Sequence, residues 1–312
     1  MGVVAPITRA ARVAAALAAA LVLTAPAQAE LRVVAATTDL AAIAAAVGGD
    51  LVTVETIVPA AVDPEGFEPR PGDLEKIRNA GVLVRVGLGY DHWLDKLVRQ
   101  TGNARLMRRG DGYVDASVGI PLLEVSGQSV INEGGHAHGV ANPHYWLDPE
   151  NAKIVSLGVA EGLARVMPAE RSRIATNRER FVADLDAKLA RWTAQLGRVA
   201  GVKLVAYHNS WPYFARRFRL DMIGFIEPKP GVAPSPAQLA RLVAAGKKAG
   251  VRAVVHEPYE PEDASRLVAQ KLGVPFVLLA TSVGSVPAAK DYFGLFDHNV
   301  ATLAKTLAVS SQ

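Results

Sequence analysis

The sequence predicts an α/β fold of two lobes, each a mostly parallel sheet flanked by helices, joined by one long backbone helix. Three observations carry this. Short apolar runs alternate with amphipathic stretches, the βαβ pattern of parallel sheets. The alternation occurs twice, near 31–100 and again near 202–308. Between the two sets, residues 169–199 keep a helical period, with no Gly or Pro from 169 until Gly197.

Residues 1–29 come first and stand outside the fold. Arg9 and Arg12 precede an apolar run at 13–27, and Ala-Gln-Ala at 27–29 has the small residues of a cleavage site. This pattern is a secretory signal peptide, too short to span a membrane. The mature chain is expected to start near Glu30, in the periplasm. The sequence contains no cysteine, so it offers neither a lipid-anchor cysteine nor a disulfide, and the core alone must hold the fold. Removing Arg9 and Arg12 takes the formal charge from +4 to +2. The remaining charges are interspersed, which argues against a nucleic-acid partner.

The first lobe, 30–168, opens with the strand "LRVVAAT" (31–37) and an Ala-rich helix near 39–47. "LVTVETIV" (51–58) alternates as a strand and stops at Pro59. "VLVRVGL" (82–88) is the next strand, between helices near 73–79 and 91–100. The linking helix, 169–199, carries a stripe of Phe181, Leu185, Leu189, Trp192 and Leu196. About thirty helical residues span about 45 Å, more than one small lobe needs, so the helix reads as a rigid strut. The second lobe, 200–312, has strands at 202–207, 221–226, 251–256 and 275–281, with helices near 236–248, 262–271 and 290–308.

Side chains able to bind metal follow these strands. Parallel sheets bind ligands at the carboxyl ends of their strands. Glu65 follows the strand at 51–58, His208 the strand at 202–207, and Glu257 the strand at 251–256. His144 lies in "NPHYWLDP" (142–149), where Asp148-Pro149 is a helix-entry pair and gives His144 a stiff approach. Glu65, His144, His208 and Glu257 are therefore the candidate metal ligands. Each has an ordinary alternative: a solvated turn carboxylate at Glu65, core histidines at His144 and His208, and at Glu257 a carboxylate that orients an imidazole. His256 is expected to point away from this site by strand alternation. His136 and His138 lie in a Gly-rich stretch upstream of His144 and could capture metal transiently.

At these residues the chain resembles a known family. The segments "DPEGFEPRPGDLEKIRNAGVLVRVGLGYDHWLDKL" (63–97), "NPHYWLDPENA" (142–152), "AYHNSWPYFARRF" (206–218) and "LFDHNVATLAKTL" (295–307) resemble the metal-binding solute receptors of zinc and manganese ABC importers. The likeness covers nearly all of the mature chain. It implies two α/β lobes joined by one backbone helix, with the metal between them. The histidine of the family's HxWLDP segment falls on His144, and the ligand after its first second-lobe strand falls on His208. Two positions depart. Glu65 stands where the family usually has histidine, and Ser282 stands near its usual aspartate.

The expected function is capture of a divalent ion and delivery to an ABC import permease, by a monomer that is not an enzyme. Two imidazoles with carboxylate oxygens suit zinc, with manganese or iron as alternatives. A secreted zinc hydrolase is a different reading, but the chain has no His-Glu-x-x-His helix and no Gly-x-Ser-x-Gly elbow. A metal-free receptor or adhesin is a third.

Overall fold

Strand β1 (Leu31–Ala35) ends in Val33, Val34 and Ala35, none of which has exposed surface. A strand covered on both faces reads as a continuous apolar run, the signature of a parallel sheet between helices. A computed structural model describes residues 2, 30–60, 62–124 and 141–309. The expected signal segment, apart from Gly2, and the histidines at 136 and 138 lie outside the described residues.

The first sheet holds β1, β2 (Val52–Thr56), β3 (Val82–Arg85) and β4 (Tyr113–Asp115) in the order β2-β1-β3-β4, all parallel. The second holds β5 (Lys203–Ala206), β6 (Asp221–Phe225), β7 (Ala253–His256) and β8 (Phe276–Leu278) in the order β6-β5-β7-β8, again all parallel. The two orders are equivalent. In each, the chain reverses direction across the sheet beside the first strand, and that reversal opens a crevice at the carboxyl edge. β3 ends at Arg85 because Gly87, Leu88 and Gly89 all take positive φ, which no strand tolerates.

Helices cover the first sheet: α1 (Thr38–Gly48), α2 (Pro71–Asn79), α3 (Trp93–Thr101) and α4 (Pro149–Val166). The long helix α5 (Arg171–Leu196) has 26 residues, about 39 Å, flanked by 3-10 turns at Pro168–Glu170 and Gly197–Val199. It buries Ile174, Phe181, Leu185, Trp192 and Leu196. The second half adds α6 (Pro212–Phe218), α7 (Pro236–Ala249), α8 (Glu262–Leu272) and α9 (Tyr292–Val309). α5 packs on α1 and α4 along one part of its length and on α9 along another. Phe181 stacks on Phe293, and Trp192 lies against Phe296 while its Nε1 donates to Asp297 Oδ1 at 2.9 Å.

One apolar core runs from the first sheet through α5 and α9 into the second sheet. A smaller cluster fills the far face of the second sheet under α7 and α8. The described residues from 31 to 309 form one compact unit. Hydrogen bonds also cross between the halves: Trp146 Nε1 to Thr281 O at 2.9 Å, Tyr292 Oη to Trp146 O at 2.6 Å, and Val283 N to Asp39 Oδ1 at 2.9 Å. Among the described residues no helix is long and apolar enough to cross a membrane.

Candidate metal centre

Glu65 is placed by the β2–α2 connection, where Asp63 Oδ1 accepts the Glu65 N–H at 2.9 Å. This local turn is one that Asp forms readily. It directs the Glu65 side chain inward, to 9 % exposure. His144 is set by the sequence around it. Residues Tyr145–Leu147 form a 3-10 turn, and Asp148 Oδ1 then accepts Glu150 N at 3.0 Å to start α4 at Pro149. His208 follows β5 at the crevice of the second sheet.

These three side chains converge. Among the described residues, Glu65, His144 and His208 form a group whose ligand atoms all lie within 4.8 Å of one another. Glu65 Oε1 is 3.7 Å from His144 Nε2 and 3.5 Å from His208 Nε2. Zinc bonds near 2.0–2.1 Å place tetrahedral donors about 3.4 Å apart, so the spacing fits such an ion with little movement.

The other nitrogen of each ring is held by an acceptor. His144 Nδ1 meets Asn142 Oδ1 at 3.1 Å. The Asn142 amide is oriented because its Nδ2 donates to Asn209 O at 2.9 Å and to Glu124 Oε2 at 3.0 Å. His208 Nδ1 meets Glu227 Oε2 at 2.5 Å. Acceptors at Nδ1 put the proton there in a neutral ring and turn the Nε2 lone pair toward Glu65. Tyr90 and Trp146 pack their rings around His144, with centroids 5.8 and 5.2 Å away.

Glu257 is fully buried but is not part of this group. Its Oε1 accepts Trp211 Nε1 at 2.6 Å and its Oε2 accepts His208 N at 3.4 Å. It braces the start of the His208 loop from behind. His256 is held between Ser265 Oγ at 2.9 Å and Glu260 O at 3.1 Å. Ser282 accepts Ser285 Oγ at its carbonyl, 2.7 Å away, and caps a tight turn. Glu227 and Asn142 are the residues that sequence reasoning missed as partners of the ligands. Glu227 directly follows the strand 221–226, so the same strand-end rule could have found it; Asn142 is two residues from His144 and carries no such signal.

The pocket is acidic. Burial pushes the carboxyl of Glu257 up to about 8 and that of Glu260 up to about 7, and it raises Asp63 as well. Burial opposes protonation of His208, yet hydrogen bonds to Glu227 and Glu65 overcome it and hold the imidazole well above its ordinary pKa.

A family model for the periplasmic component A of zinc-uptake complexes, ZnuA, matches residues 33–306. The chain belongs to the ZnuA family. Within that setting it is 25% identical over 269 residues to the high-affinity zinc uptake system protein ZnuA of Bacillus subtilis, a match covering 83% of this chain and 82% of that protein. It is 25% identical over 288 residues to the metal ABC transporter substrate-binding lipoprotein ScbA of Streptococcus cristatus, covering 89% of each. A crystal structure of ZnuA is similar with a TM-score of 0.75 and 26% identity, over 89% of this chain and 99% of that one. A cadmium-bound periplasmic metal-binding protein from Candidatus Liberibacter asiaticus shares the fold, with a TM-score of 0.75 at 19% identity over 89% and 100% of the two chains.

Proposed function

We propose that this ZnuA-family chain is a periplasmic receptor, not an enzyme, that captures a zinc ion between its lobes and hands it to an ABC import permease. In this reading the lobes are 30–168 and 200–312, linked by 169–199. Glu65, His144 and His208 hold the ion. Glu257 supports His208 rather than binding metal, and a water or the second oxygen of Glu65 completes four-coordination.

One observation carries the reading. The Nε2 atoms of His144 and His208 meet the same Glu65 oxygen at 3.7 and 3.5 Å while both Nδ1 atoms face acceptors. Core histidines have no reason to share that arrangement. Manganese is the alternative cargo, because carboxylate oxygens suit it as well. Competition titration of zinc against manganese on the purified chain decides between them. His144→Ala and His208→Ala are each expected to weaken zinc binding by roughly a hundredfold or more, since each removes one of three ligands. His92→Ala is expected to bind as the wild type does, because His92 is exposed and contacts Gly89 O. Equal loss in all three, or in none, rejects the site.

A further inference from the structure

We propose that Glu227 is a positioning residue that strengthens the metal centre through His208, lending the site its second negative charge. The inference rests on the reading of Glu65, His144 and His208 as ligands. That set carries one carboxylate against a doubly charged ion. The three ligand side chains are only 2 %, 8 % and 9 % exposed, so solvent does little to neutralise the remainder, and an uncompensated buried charge is costly.

Glu227 stands where the compensation is needed. Its Oε2 is 2.5 Å from His208 Nδ1, on the opposite side of the ring from the metal-facing Nε2. A carboxylate accepting the Nδ1 proton raises the basicity of the other nitrogen and fixes the ring. The carboxylate cannot turn away. Its Oε1 accepts Gly231 N at 2.6 Å, the residue's own N donates to Tyr207 O at 2.9 Å, and the side chain is 5 % exposed. The two imidazoles are therefore unequal. His144 leans on the neutral amide of Asn142, while His208 leans on an acid. Glu257, though close, spends its oxygens on Trp211 and a backbone N–H.

The test is competition titration of zinc on the full chain, wild type against Glu227→Gln and Glu227→Asp, with the 15N resonances of the histidine rings recorded in the zinc-loaded proteins. Glu227→Gln is expected to weaken zinc binding about tenfold or more, with the His208 Nδ1 resonance displaced and that of His144 unmoved. Glu227→Asp, which keeps the charge, recovers part of the loss. Glu227→Gln binding within twofold of wild type overturns the inference. So does a loss of affinity that leaves the His208 Nδ1 resonance in place, or that Glu227→Asp fails to reduce, since each marks a merely structural role. If the wild type itself binds no zinc, the ligand assignment falls first and this inference with it.

Discussion

Asp39 has no exposed surface, and its Oδ1 accepts the N–H of Val283 from the other half of the molecule. Burial pushes its carboxyl from 3.8 up to about 7, against the lowering effect of its hydrogen bonds to Val283 and Ser282. A raised carboxyl binds its proton more tightly when folded. Its contribution is fully present below the unfolded value near 4 and is lost as pH rises through about 7. The cost at high pH is roughly 4 kcal/mol at most. Asp39→Asn keeps the acceptor for Val283 and removes the charge. Urea unfolding at pH 5 and pH 8 is therefore expected to show the variant gaining on the wild type as pH rises; a constant difference rejects the assignment. His208 gives a second expectation. Glu227 and Glu65 hold its proton well past the usual imidazole range despite burial, so zinc bound at the proposed site must displace that proton near neutral pH. Calorimetry in two buffers of different ionisation enthalpy should find about one proton released, and affinity should fall as pH is lowered. At this scale the sequence was informative about place and silent about direction. Strand ends located Glu65, His208 and Glu257 alike. Which of them turns its carboxylate to the imidazoles depends on neighbours such as Trp211, whose indole takes up Glu257, and no periodicity encodes that.

The segment that presents His144 is held by the start of α4. Asp148 is fully buried, caps the helix through Glu150 N, and meets Arg217 at 2.6 and 3.0 Å. The capping bond joins His144 to its own helix, and the arginine ties that helix to α6 of the second half. Asp148→Ala loses both, about 1 kcal/mol for the cap and about 1.5–3 kcal/mol for the charged hydrogen bonds. Asp148→Asn keeps the cap and loses only the second part. Denaturant unfolding should therefore rank wild type above Asn and Asn above Ala; equal variants would mean the arginine contributes nothing. The Asp-Pro pair made this helix start legible, and the uninterrupted stripe made α5 legible. β4 was not, because three residues, Tyr113–Asp115, are too few to show alternation. The 3-10 turns at the two ends of α5 fit the same period as the helix, so the pattern alone does not separate them from it.

Across the whole molecule, the two sheets do not behave as separate bodies on a flexible joint. A single apolar core passes through α5 and α9 from one sheet to the other. Around the candidate metal centre, cross-half bonds tie Trp146 to Thr281, Tyr213 to Asn142 and Tyr292 to Trp146. A wide hinge closure would break these buried bonds and shear the stacked rings of Phe181 and Phe293. Interiors packed to this density switch between discrete arrangements rather than bending continuously. Ion capture should then involve shifts in the Glu65 and His208 loops and leave the long helix and its packed neighbours in place. A folded chain of this length has a radius of gyration of about 19 Å. Small-angle scattering of the chain with and without zinc is expected to give the same radius within error, while hydrogen exchange slows in the loops that carry Glu65 and His208. A compaction of several per cent on zinc addition would show that the halves close on each other and that α5 flexes, contrary to the rigid strut its packing describes.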